Sequence, residues 1–261
     1  MSRVLVSLIA TLLSITISHV NAEPARIRIS VDQTKIFPNV LWLLKQGKQH
    51  ALSLPDGFRS EVGSLYTNIF TDDIDGDGID EAVFQLEGGE VNQCFRAIKY
   101  SEDQEILTEI IFKNELCNYK KIANRIASSY RSGATWFEDY YEVQNGKASL
   151  LVSDQCVGCG EIKRVVFHKD GSRTRHLVSD SPAFENRVPV TALVTTEHAP
   201  IFSSPEQGFS IKGTLNRGDK VELIGYETYG VETWAELRTL GRSATTGWVR
   251  CGDLNACHGA L

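Results

Sequence analysis

The 261-residue chain lacks a basic excess, and it lacks the short motifs that mark common hydrolase sites. Lys and Arg number 27 against 33 Asp and Glu, a formal net charge of −6. With no surplus of cations to neutralise phosphates, the charge argues against an electrostatic nucleic-acid binder, and nothing favours an anionic membrane. No H-E-x-x-H or G-x-S-x-G segment occurs. His50, His168, His176, His198 and His258 sit at no metal-ligand spacing. A cysteine nucleophile would open a helix beside a His, whereas Cys156 is followed by Val-Gly-Cys among expected strands. Glycosidase-type carboxylate pairs are not excluded, because acids are abundant. The expectation is a binding protein, not an enzyme.

What is present is ordinary globular composition, 42% apolar and 23% charged, which argues against disorder and coiled coil. Residues 1–22 read as an export signal. Arg3 precedes an apolar run from Val4 to Ile17, and Val20-Asn21-Ala22 places small residues at a cleavage point before Glu23. The run is too short to span a membrane, and no Cys marks a lipid anchor. The expected product is periplasmic, with no membrane insertion after cleavage. All six cysteines, Cys94, Cys117, Cys156, Cys159, Cys251 and Cys257, follow this segment. An even set in an exported chain suggests disulfides. Closeness in sequence favours 94–117, 156–159 and 251–257. No second pair of Cys or His completes a zinc site at Cys156 and Cys159.

The segment from Ser179 to Pro189 is polar, carries two prolines and reads as a linker. It divides the chain into 23–185 and 186–261. The first part holds 19 basic and 25 acidic residues, the second 7 and 8, so acidity belongs to the first part. That part reads as short strands between turns. Alternation predicts strands near 26–31, 40–44 and 50–54, then at 81–86, 93–100 and 106–112. Asn145-Gly146 and Asp170-Gly171 predict hairpins. Residues 126–130 carry a mixed pattern and are expected as a strand. The class is all-β.

The stretch Asp73-Ile-Asp-Gly-Asp-Gly-Ile-Asp-Glu81 places Asp73, Asp75 and Asp77 at positions 1, 3 and 5 of a glycine-bearing loop. With the Ile79 carbonyl and Glu81 they make a hard, all-oxygen donor set suited to Ca²⁺. It is not an EF-hand, since Phe84 stands where the bidentate Glu would be. The expected role of Ca²⁺ is structural, because the loop runs straight into an apolar strand.

This loop resembles the D-x-D-G-D-G-x-x-D/E calcium loop of the FG-GAP-like family, as in integrin α-subunit propellers. The segment from Ile126 to Trp136 (IASSYRSGATW), followed by Glu138 to Lys147 (EDYYEVQNGK), is similar to bacterial periplasmic proteins of that type. The resemblance spans about residues 27–178. It implies a propeller-like β domain and, from some members, inhibition of lysozyme-like peptidoglycan hydrolases. Residues 191–254 resemble a bacterial SH3-like domain through Ala199–Pro205, Gly218–Ile224, Trp234–Arg238 and Gly247-Trp248-Val249. Val221, Leu223, Trp234, Leu237 and Trp248 are its expected small-barrel core. Phe202, Tyr226, Tyr229 and Trp234 are candidates for an aromatic groove, although Trp234 and Trp248 suit the core better.

Together these readings predict an acidic, calcium-braced inhibitor or immunity protein that plugs the active site of a secreted toxin or peptidoglycan hydrolase. Opposite charge would speed encounter with a basic hydrolase. Tyr130, Arg131, Ser132 and Trp136 are the expected contact segment, with Tyr226 and Tyr229 as further contacts. A second reading is an adaptor that binds peptidoglycan through the SH3-like part. A third is a cell-wall hydrolase.

Overall fold

The computed structural model describes residues 28–31, 40–45, 47–63, 65–205, 210–241 and 243–257. The expected export segment, residues 26–27 and His258 lie outside the described residues.

The strands form four antiparallel sheets. The first contains β1 (Arg28–Val31), β2 (Val40–Lys45) and β3 (Lys48–Ser53). The helix α1 (Asp56–Val62) follows. The second sheet is β4 (Tyr66–Asp72), β5 (Glu81–Leu86), β6 (Cys94–Ser101) and β7 (Ile106–Ile110), with β8 (Leu116–Cys117) on β6. The third runs in sequence order through β9 (Lys120–Ile122), β10 (Arg125–Ser132), β11 (Thr135–Gln144), β12 (Lys147–Gln155), β13 (Glu161–Phe167) and β14 (Arg173–Ser179). The fourth holds β15 (Thr191–Leu193), β16 (His198–Phe202), β17 (Ile211–Asn216), β18 (Lys220–Tyr229), β19 (Glu232–Thr239) and β20 (Thr246–Arg250), in the order β15-β18-β19-β20-β16-β17. The all-β expectation holds. The propeller and the closed barrel do not form among the described residues, where every sheet is open.

β5 explains the layering. Ala82 and Phe84 face a core with Ile29, Leu41, Phe58 and Ile98. Val83 faces the opposite core with Ala97, Ile126 and Tyr141. A strand buried on both faces reads as a continuous apolar run, while a one-sided strand alternates. The second sheet is therefore the filling between the first and the third. The short α1 was not expected from the sequence. Phe58 and Val62, four apart, lie on one face and bury against the first core. Packing fixes this helix, since Gly57 weakens its propensity.

Residues 126–130 are a strand, as expected, within β10. Asn145 and Gly146 both take positive φ, 51° and 73°, the demand of a type I′ hairpin. All three expected disulfides are present, 94–117, 156–159 and 251–257. They point to an oxidising location outside the cytoplasm.

The segment read as a linker is docked. Phe184 packs on Tyr140 at a ring-centroid distance of 4.0 Å, and the Arg164 guanidinium lies over Phe184. The wholly buried Arg187 side chain donates to Asp154 and to Glu138, each at 2.7 Å. Leu177 of β14 belongs to the core of the fourth sheet. That core is apolar: Ala192, Val221, Leu223, Ala235, Leu237 and Val249. Trp234 is buried, as expected, although outside this cluster, whereas Trp248 is not in the core, contrary to expectation. Gly247 and Val249 point inward, so strand alternation puts Trp248, half-buried, on the outer face. Trp234 is buried, with Phe202 edge-on at 5.4 Å and Arg250 over its ring.

Candidate functional site

The acidic loop joins β4 to β5 and folds on itself. Asp73 Oδ2 accepts from the Gly78 N–H at 3.1 Å, and Asp77 Oδ1 from the Ile79 N–H at 2.8 Å. Glu81 Oε2 accepts from the Ile74 N–H at 2.6 Å and closes the turn. Ile74 itself is anchored in the core between the second and third sheets. Gly76 and Gly78 take φ of 74° and 86°, open to glycine with little cost.

One carboxylate oxygen each of Asp73, Asp75 and Glu81 lie within 4.8 Å of one another. That spacing suits oxygens around a single Ca²⁺, which binds each at about 2.3–2.6 Å. Asp73 Oδ1 is buried without a hydrogen-bond partner. These three carboxylates therefore suit a divalent ion in chemistry and spacing, while Asp77, turned to Lys99 and the Ile79 amide, is not part of the cluster. Ile79 enters through its amide and through side-chain packing on the first core. Burial pushes the Glu81 carboxyl up to about 7, against the lowering pull of the Ile74 amide.

Sequence reasoning missed the residues that reach into this loop from other strands. Lys99 of β6 places its ammonium 2.6 Å from Asp75 Oδ2 and 3.4 Å from Glu81 Oε1, and also pairs with Asp77. Desolvation pulls the Lys99 ammonium down, but its bonds to Asp75 and Asp77 outweigh this and hold it above the usual lysine value. Lys121 of β9 pairs with Asp72 and donates to the Asp73 carbonyl at 3.2 Å. The Tyr119 hydroxyl donates to Asp72 at 2.8 Å. The Gly146 N–H, at the β11–β12 turn, donates to Asp75 Oδ2 at 3.3 Å. A Cβ at Gly146 would stand 3.3 Å from Lys99 Cδ, so glycine also permits the approach. The loop is thus a buckle between two sheets.

The expected contact segment is the tip of the β10–β11 hairpin. Arg131 and Trp136 are directly opposed across the strands, and both are exposed. Ser132 is exposed beside the Gly133-Ala134 turn. Tyr130 differs: it turns inward, stacks on Phe137 and donates to Asp139 at 3.0 Å. Burial, then the Asp139 charge, raise its hydroxyl above the usual phenol value. The tip is held from two sides. Asn92 exchanges hydrogen bonds of 2.8 and 2.9 Å with the Arg131 backbone. The Trp136 carbonyl accepts from the Cys156 N–H at 2.9 Å, next to the Cys156–Cys159 bridge.

Tyr226 and Tyr229 do not join that tip in one patch. Tyr229 is exposed at the β18–β19 turn, beside the fully exposed Val231. Tyr226 is half-buried against the fourth-sheet core and lines a 410 Å³ cleft between the third and fourth sheets. Phe137, Gln155, Lys163, Arg175 and Trp248 line the same cleft. A larger cavity of 610 Å³ lies along β6 and β7, with Phe95, Ile111, Phe112 and Leu116 in its wall. It holds none of the residues expected to touch a partner.

No family model matches the chain, and no curated protein matches it. One solved structure, described as that of a Xanthomonas type IV secretion system related protein, is similar at 16% identity with a TM-score of 0.34. The likeness covers 58% of this chain and 78% of that one.

Proposed function

We propose that the protein is an exported, periplasmic inhibitor or immunity protein that grips a secreted cell-wall hydrolase and blocks its active site. In this reading residues 1–22 are the export signal, 23–185 carry the gripping surface and 186–261 are an SH3-like companion. The observation that carries the proposal is the exposed Arg131–Trp136 pair on a hairpin tip clamped by Asn92 and the Cys156–Cys159 loop. Trp and Arg dominate the energetics of protein interfaces. A tip already rigid before binding loses little freedom when it inserts. The reading gives no residue a catalytic role.

Ca²⁺ in the acidic loop, held by Asp73, Asp75, Asp77, Ile79 and Glu81, would neutralise the clustered carboxylates and stiffen the scaffold behind the tip. The test of the inhibitor reading is co-expression with a panel of exported peptidoglycan hydrolases, comparing the native chain with Trp136→Ala and Arg131→Ala. Protection and complex formation by the native chain, lost in both variants at unchanged melting temperature, are expected. Failure of the native chain to bind or protect against any of them would sink the reading.

A second reading, an adaptor that binds peptidoglycan, is favoured by the aromatic cleft of Phe137, Tyr226 and Trp248. Retention on purified peptidoglycan that is lost in Tyr226→Ala, with no hydrolase partner, would support it instead.

A further inference from the structure

We propose that Lys99 is the loop's built-in cation: its ammonium occupies the seat between the carboxylates, so the buckle is closed without metal and Ca²⁺ must expel Lys99 to enter. The geometry carries this. Asp75, Asp77 and Glu81 reach one nitrogen. The side chains of Lys99, Asp75 and Glu81 are only 11%, 1% and 0% exposed, so solvent does little to screen these two acids, while Asp77, 40% exposed, keeps the outer edge of the group in contact with water. Two like charges as close and as dry as Asp75 and Glu81 need an opposite charge. Lys99 supplies it from β6, a strand already fixed between β5 and β7. The long stem lies against Gly146, so the lysine is confined on the hairpin side as well.

Two consequences follow from the competition. The native chain responds weakly to Ca²⁺, because binding costs the ion pairs of Lys99. Removing the ammonium turns the loop into an open, anionic oxygen site whose stability depends on added metal. The same seat cannot hold both cations, since an ammonium and a divalent ion a few ångströms apart repel.

The inference rests on the Ca²⁺ reading only for the identity of the competitor. Its test is thermal unfolding and Ca²⁺ titration of the full chain and of Lys99→Met, in chelator and in millimolar Ca²⁺. In chelator the variant is expected to melt lower by roughly 10 °C. Ca²⁺ should restore most of that loss, with an affinity for the variant about tenfold or more tighter than for the native chain. Equal Ca²⁺ affinity in the two proteins, a variant that ignores Ca²⁺, or a variant as stable as the native chain in chelator would each overturn the proposal. A native chain that ignores Ca²⁺ beside a variant that binds it would uphold the proposal and remove Ca²⁺ from the native protein. If Lys99→Met does not fold in chelator, Lys99→Arg decides the matter. Retained stability supports a role for the charge, and an equal loss shows that packing alone was at stake.

Discussion

The regions before and after Arg187 bury different kinds of residue. Up to and including it, Glu81, Asp139, Asp154, Lys99 and Arg187 are all buried, each tied by hydrogen bonds or ion pairs to a neighbouring strand or segment. After it, no charged residue is buried among the described residues, and the fourth sheet closes over Val221, Leu223, Leu237 and Val249. The difference follows from architecture. A single twisted sheet wrapped on one core needs only apolar area, which is non-directional. A stack of three sheets must also set how each layer sits on the next. Directional partners such as Lys99, Lys121 and Arg187 do so at single points.

The comparison breaks most visibly at Arg187. Arg187→Ala takes one of two guanidinium partners from the buried Asp154, which keeps its bidentate pair with Arg164, and also removes the partner of Glu138. With the cavity it leaves, the loss is expected to be about 3–5 kcal/mol, read by chemical denaturation. Arg187→Met with Asp154→Leu should not recover this, since it takes the carboxylate from Arg164, but adding Arg164→Met should recover much of it, because an apolar cluster of similar volume carries no stranded charge. A triple variant no better than Arg187→Ala would show that the geometry of the cluster, not a lone charge, matters. Leu237→Ala in the fourth sheet should cost about 2–4 kcal/mol through lost transfer energy and a cavity. Its loss should not change with salt, which separates it from the ionic case.

Gly247→Ala is the next test. An added Cβ would lie 2.4 Å from Ile201 Cγ2 and 2.7 Å from the Phe202 carbonyl oxygen, where β20 crosses β16. Overpacking of this kind costs about 1–3 kcal/mol. The smallest effect is expected at the exposed Arg217–Glu197 pair of the C-terminal part. Arg217→Ala should change stability by no more than about 0.5 kcal/mol, and a larger loss would mean that surface charge also holds this region.

The acidic loop was legible because its donors are contiguous, so spacing along the chain stands for spacing in space. Its partner Lys99 was not legible. It lies 24 residues from Asp75, and only the pairing of β6 with β5 brings it back. Arg187 sat in a polar, proline-bearing stretch that reads as a linker, because polarity alone does not tell a solvated charge from a paired one. Tyr130 looked like a contact residue from its neighbours, yet its place opposite Phe137 turns it toward Asp139. Trp248 was misplaced by one step of strand alternation, which an aromatic residue does not reveal on its own.

Local chemistry written along the chain was enough for the all-β class, the Asn145-Gly146 turn, the nearest-neighbour disulfides and the carboxylate loop. Most depend on residues a few positions apart, where backbone geometry leaves few choices; Cys94–Cys117, 23 apart, was read from the order of the cysteines alone. The tertiary structure alone decided which cation faces those carboxylates, which aromatic residues point outward and that the third and fourth sheets meet across an aromatic cleft. Those outcomes depend on strand order and layer stacking, which are set by summed burial over the whole chain and by no short segment of it.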